Sequence, residues 1–100
     1  MQFASEAEAL IKSQWPKCYA LAEQLAAHGL AAADALEKAV SSRTHHVRSA
    51  ALISLNKIDP ARGQGLAKRL LTDAAYEVRQ NAAQILGVPT PDRPPRPGKT

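Results

Sequence analysis

Two stretches of this chain repeat one another 31 residues apart. His-Val-Arg-Ser-Ala-Ala-Leu-Ile-Ser-Leu occupies 46–55, and Glu-Val-Arg-Gln-Asn-Ala-Ala-Gln-Ile-Leu occupies 77–86. Val47, Arg48, Ala51 and Leu55 thereby return as Val78, Arg79, Ala82 and Leu86. A period between about 20 and 50 residues marks a stack of supersecondary units, each too small to bury its apolar face without a neighbour. The matched positions hold no nucleophile and no acid–base pair. Such a period points to a binding surface rather than an active site.

The unit predicted is helical. Of the chain, 45% is hydrophobic but only 4% aromatic, and alanine is frequent. Alanine favours helix because it loses no side-chain entropy there. No stretch alternates apolar and polar residues with period two, so strands are not expected. Ser5 followed by Glu8 has capping-box spacing, which predicts a first helix running to about Trp15. Pro16 suits the first position of a second helix, with Cys18, Leu21, Ala22 and Leu25 on one face and an end at His28-Gly29. A third helix covers about 31–40, with Ala32, Leu36, Ala39 and Val40 inward. The fourth covers 45–57, with Val47, Ala50, Ala51, Ser54, Leu55 and Ile58 at helical spacing. Asp59-Pro60 is a cap followed by a first-position proline, opening a fifth helix that carries Leu66, Ala67, Leu70 and Leu71. The sixth runs from Tyr76 to Leu86 and stops at Gly87. Links of two to five residues force neighbouring helices antiparallel. The chain therefore reads as all-α, three hairpins with small-residue packing, in a single domain.

From Val88 the composition changes. Pro89, Pro91, Pro94, Pro95 and Pro97 crowd the last thirteen residues. Proline removes helix donors, and few apolar side chains remain to bury. Residues 88–100 are expected to be an extended or disordered tail. Pro91 to Pro94 and Pro94 to Pro97 are Pro-x-x-Pro patterns beside Arg93 and Arg96, the form of a ligand for SH3-like domains. A plain linker is the preferred reading, because the pattern is common by chance. Gly98-Lys99-Thr100 lacks the earlier glycine of a phosphate loop and is set aside.

The Val-Arg pair opening the second helix of a hairpin, with Ala four and Leu eight residues after Val, resembles the HEAT-like repeat. The 31-residue length is most similar to the short repeats of the phycobilisome-lyase type. The resemblance covers about 31–87. It implies a short right-handed α-α superhelix, with residues 1–30 as a divergent capping hairpin. It also implies a structural ladder, in which an arginine meets an aspartate from a turn. Here Asp73 precedes Arg79, but Ser42 stands one period earlier. Asp73 must serve Arg79, Arg48 or both, and a charge-assisted contact to Arg48 of the preceding unit is expected.

Second helices of such stacks line the concave side, and there the non-repeating positions matter most. His45, Ser49, Ile53 and Asn56 lie off the buried stripe of the fourth helix, and Tyr76, Gln80 and Gln84 off that of the sixth. His45, Ser49, Ile53, Tyr76, Gln80 and Gln84 are the candidate partner-binding residues, with Tyr76 the aromatic anchor. The partner class is another protein, unidentified from sequence. A second copy of the chain is a further candidate for the uncovered end of the stack. A phycobilin-lyase-like enzyme partner is a third reading, with no chromophore site indicated.

Charge supplies an alternative. Residues 1–56 carry five basic and five acidic side chains, whereas 57–100 carry eight basic and four acidic. Arg62, Lys68 and Arg69, with Lys57 and Arg79, form a candidate basic patch for nucleic acid. Alkylpurine DNA glycosylases of HEAT-like fold hold DNA on such a surface. This chain is far shorter and has no paired Trp and acidic residue beside the cluster, so a solvated face is preferred.

Catalytic and metal readings are weaker. Cys18 has the spacing of a small buried residue, and the carboxylates are scattered as helix-start charges. His45 and His46 are adjacent, so their side chains diverge by about 100°, and the third histidine, His28, is remote. No enzyme, cofactor or metal is expected. Charged residues break up the first twenty positions, arguing against a signal peptide, and no apolar run is long enough for a membrane helix. A cytoplasmic protein is expected.

Overall fold

Small residues at helical spacing, separated by short turns, produce helices and nothing else among the described residues. The structure is a computed structural model that describes residues 2–92. Its helices are α1 (Ala4–Lys12), α2 (Lys17–Ala26), α3 (Ala33–Ala39), α4 (His45–Ile58), α5 (Pro60–Leu70) and α6 (Tyr76–Leu86), with a 3-10 turn at Gly29–Ala32 before α3.

Two helix boundaries have the expected chemistry, whereas Pro16 precedes α2 instead of holding its first position, and α2 ends at Ala26, before His28-Gly29. Asp59 accepts the Arg62 amide at 3.2 Å, and Pro60 opens α5. Gly87 closes α6 at φ 70, where the lack of a Cβ removes the steric cost of the left-handed turn. The Val88 amide then bonds back to Ala83 O at 3.0 Å. The start of α1 departs from the capping-box expectation. Phe3, in left-handed conformation at φ 63, precedes the helix without a side-chain cap. Ser5 lies inside the first turn, and Glu8 reaches forward to Lys12 Nζ at 2.7 Å instead. The end of α1 also falls short of Trp15. The Ser13 amide and hydroxyl both donate to Leu10 O, at 3.1 and 2.6 Å, and Ser13 turns extended.

The helices pack around α4, which touches α2, α3, α5 and α6, while α1 packs on α2 and α3, and α5 packs on α6. The start of α4 meets the start of α6, where His46 faces Glu77. The later halves of the same helices meet around Ile53, Asn81 and Gln84. The two helices therefore run parallel. The core is built largely of alanine, including Ala22, Ala35, Ala39, Ala51, Ala67 and Ala82, around Leu36, Val47, Leu52 and Leu55. Small residues let helix axes approach closely. The tightest approach is Gly63 of α5, where a Cβ would stand 2.6 Å from Asn56 Cα of α4.

The repeated arginines tie successive turns together. Arg48 Nε and Nη2 bond Asp73 Oδ2 and Oδ1 at 2.9 and 2.8 Å, while Nη1 donates to Ser42 O and Arg43 O. Arg79 repeats half of this: its Nη1 donates to Asp73 O and Ala74 O, at 2.8 and 3.0 Å. The Asp73 carboxylate thus serves Arg48, and its carbonyl serves Arg79. The other side of Arg79 meets the chain after α6, with Nε on Pro91 O and Nη2 on Asp92 O. The beginning of the proline-rich segment lies against the last hairpin. Pro94 and Pro97, which complete the Pro-x-x-Pro patterns, lie outside the described residues, as do Arg93, Arg96 and 98–100.

Candidate functional site

The candidate partner residues separate into an edge, a depression and one buried position. Ser49 is the correction. It is fully buried, not on a surface, because α2 covers that face of α4. Its hydroxyl lies near Tyr19 of α2. A small polar side chain fits where α2 and α4 meet, and nothing outside can reach it. Ile53 is half-buried and Gln84 exposed. Both line a shallow depression of about 390 Å³, as does the half-buried Asn56. Gln80 is exposed midway along α6.

His45 and Tyr76 sit at the edge where α4 and α6 begin. Tyr76 is 54% exposed, and its ring lies 5.5 Å from the Arg79 guanidinium carbon, a cation–π distance. Trp15, just before α2, is 61% exposed and has its ring centroid 6.0 Å from that of His46. Two large aromatics therefore flank the same row of helix starts. An exposed aromatic supplies much contact area at little entropic cost.

Between them lies a cluster that joins three helices. His46 Nδ1 is 2.8 Å from Glu77 Oε1, and His45 Nε2 is 3.6 Å from the same oxygen. The two imidazole centroids are 4.1 Å apart. His46 Nδ1 and Glu77 Oε1 are closed off from solvent, yet neither has a hydrogen-bond partner. The Tyr19 hydroxyl donates to the other carboxylate oxygen, Glu77 Oε2. Burial and the Glu77 carboxylate push the Tyr19 pKa well above its ordinary value, so Tyr19 remains a donor. The expectation of no metal site rested on the lack of a third ligand near the two histidines. The fold brings Glu77 to them, and the three offer converging ligand atoms. The signal was present: Glu77 is the residue one period after His46.

The basic residues do not form a free cationic face. Arg62 contacts Asp34 at 2.9 Å, Glu37 at 3.3 Å and Asp59 at 3.4 Å. Arg79, 4% exposed, is occupied by carbonyls. Lys68 and Arg69 are exposed on α5. Arg69 borders a groove of about 590 Å³ that Asp34, Glu37 and Lys38 also line, so its charge is mixed. Cys18 is fully buried, and burial raises its thiol pKa. That environment disfavours the thiolate a nucleophile needs. No helix among the described residues is long and apolar enough to cross a membrane.

Against protein-family models, curated proteins and solved structures alike, the chain finds no match.

Proposed function

We propose that this chain is a non-catalytic HEAT-like module, a short superhelix of stacked hairpins that binds another protein as an accessory subunit. The observation that carries the reading is the pair of exposed aromatics, Trp15 and Tyr76, on one row of helix starts. The repeated Arg48 and Arg79 contacts support the stacked frame, because each holds the turn before its own helix in the same way. Partner contact is assigned to Tyr76, His45 and Trp15, with Ile53, Gln80 and Gln84 extending it along the helices. Ser49 is withdrawn. A nucleic-acid role for Arg62, Lys68 and Arg69 is less well supported, since Arg62 is already surrounded by carboxylates.

Affinity purification from the native host, comparing wild type with Trp15→Ala and Tyr76→Ala, tests the reading. A partner retained by wild type and lost by both variants is expected. Loss only with Ile53→Asp would move the surface to the depression. Retention on DNA at low salt that fades as salt rises would instead favour the nucleic-acid reading.

A further inference from the structure

We infer that His45, His46 and Glu77 form a binding site for a divalent transition-metal ion, with zinc the ion that best fits the donors. Adjacent helical residues point apart, but these two use different nitrogens. His45 presents Nε2 and His46 presents Nδ1. The far atom of one ring and the near atom of the other thereby approach one carboxylate, and all three ligand atoms lie within 4.8 Å of one another. Donors about 2.0–2.1 Å from a tetrahedral ion stand about 3.3 Å from each other. The separations of 2.8 and 3.6 Å to Glu77 Oε1 bracket that spacing.

The unpartnered atoms give the second argument. His46 Nδ1 and Glu77 Oε1 are shut from water and close together, yet they make no hydrogen bond. Lying 2.8 Å apart with no hydrogen bond between them, the imidazole nitrogen and the carboxylate oxygen are both left to serve a third body. A cation satisfies both at once. Tyr19 supplies the outer support, since its hydroxyl holds Glu77 Oε2 and leaves Oε1 for the ion. Such outer-shell bonds orient a ligating carboxylate. Imidazole and carboxylate donors suit zinc, and copper and nickel would compete for the same set. With three protein ligands, a fourth position remains for water. This site does not depend on the protein-binding reading, and its test is independent of any partner.

The experiment is calorimetric titration of the full chain with zinc chloride in a non-chelating buffer, with circular dichroism as the check on folding. Wild type is expected to bind a single zinc per chain. His46→Ala and Glu77→Ala should each weaken binding by more than about a hundredfold, and Tyr19→Phe, which removes only the outer-shell bond, by about tenfold. His28→Ala should bind as wild type, because His28 packs against Phe3 and is not one of the three converging residues. Should His46→Ala fail to fold, Glu77→Gln preserves the shape of the side chain and carries the same expectation. The inference is overturned if wild type shows no binding, or if Glu77→Gln and Tyr19→Phe both stay within about threefold of it.

Discussion

Replacing Asp73 by asparagine should cost this protein a large share of its stability, and the loss should depend on pH. Asp73 takes two charge-assisted hydrogen bonds from Arg48, and its side chain is 8% exposed against 17% for Arg48. Each such bond contributes about 1.5–3 kcal/mol. Full loss of a buried partner costs about 3–5 kcal/mol. Two features reduce that figure here. Arg48 keeps Ser42 O and Arg43 O, and asparagine still offers one acceptor. A cost of about 2 kcal/mol follows, a drop in melting temperature of roughly 8–16 °C for a domain of this size. Asp73→Ala also loses the bond from the Ala75 amide and should cost about 3 kcal/mol. Burial alone would raise the Asp73 pKa. The bonds from Arg48 and the Ala75 amide, with the charges of Arg48 and Arg79, outweigh it and hold the carboxyl below its ordinary value. A pKa lowered by folding contributes stability above the unfolded value, about 3.9, and loses it as pH falls through the folded value. The gap between wild type and Asp73→Asn should therefore be full at pH 7 and shrink below about pH 4. Urea unfolding across that range, completed by a double-mutant cycle with Arg48→Ala, measures it. A penalty under about 0.5 kcal/mol at pH 7 would refute the reasoning, as would a penalty equally large at pH 3.

Two glycines of one helix should respond to alanine with opposite signs. At Gly63 a Cβ meets Asn56 Cα and Cβ at 2.6 and 2.8 Å, so Gly63→Ala should destabilise by about 1–3 kcal/mol despite better helix propensity. At Gly65 the space is open, and Gly65→Ala should stabilise by about 0.5–1 kcal/mol; thermal melts of the two variants check the pair. A chain ending at Gly87 removes the acceptors of Arg79 Nε and Nη2, and its urea midpoint should fall by an amount equivalent to about 1–2 kcal/mol.

The helices were legible because their signals are local. Asp59-Pro60, Gly87 and the apolar spacing of 47–55 need no knowledge of neighbours, and they lie where expected. The start of α1 was less legible because Glu8 had two short-range choices, the Ser5 region and Lys12, and sequence spacing alone does not rank them. The Arg48–Asp73 contact could be anticipated because a repeat places unlike units in register. Ser49 misled for a related reason. A helix in contact with four others is covered on more than one side, so a residue off its main apolar stripe still meets α2. The His45–His46–Glu77 cluster is not visible in local spacing, because the fold brings together residues a full period apart.

The 31-residue spacing also accounts for which side chains meet at that edge. Trp15, His46 and Glu77 stand 31 residues apart in sequence, and they are neighbours in space along the helix starts. Lys17, Arg48 and Arg79 have the same spacing two residues on. In the second row a cationic side chain recurs, and its arginines meet turn carbonyls in the same manner. That is what a structural position requires, since each unit must solve the same local problem of its preceding turn. In the first row the residues are an indole, an imidazole and a carboxylate, which no common backbone demand explains. Adjacent helices pack about 8–10 Å apart, so side chains from equivalent positions can touch across the gap. Here a sequence period becomes a row in space, and a row with unlike members brings different chemistries to one spot. The His46 imidazole faces the Glu77 carboxylate, and the Trp15 indole lies 6.0 Å from the same imidazole, centroid to centroid.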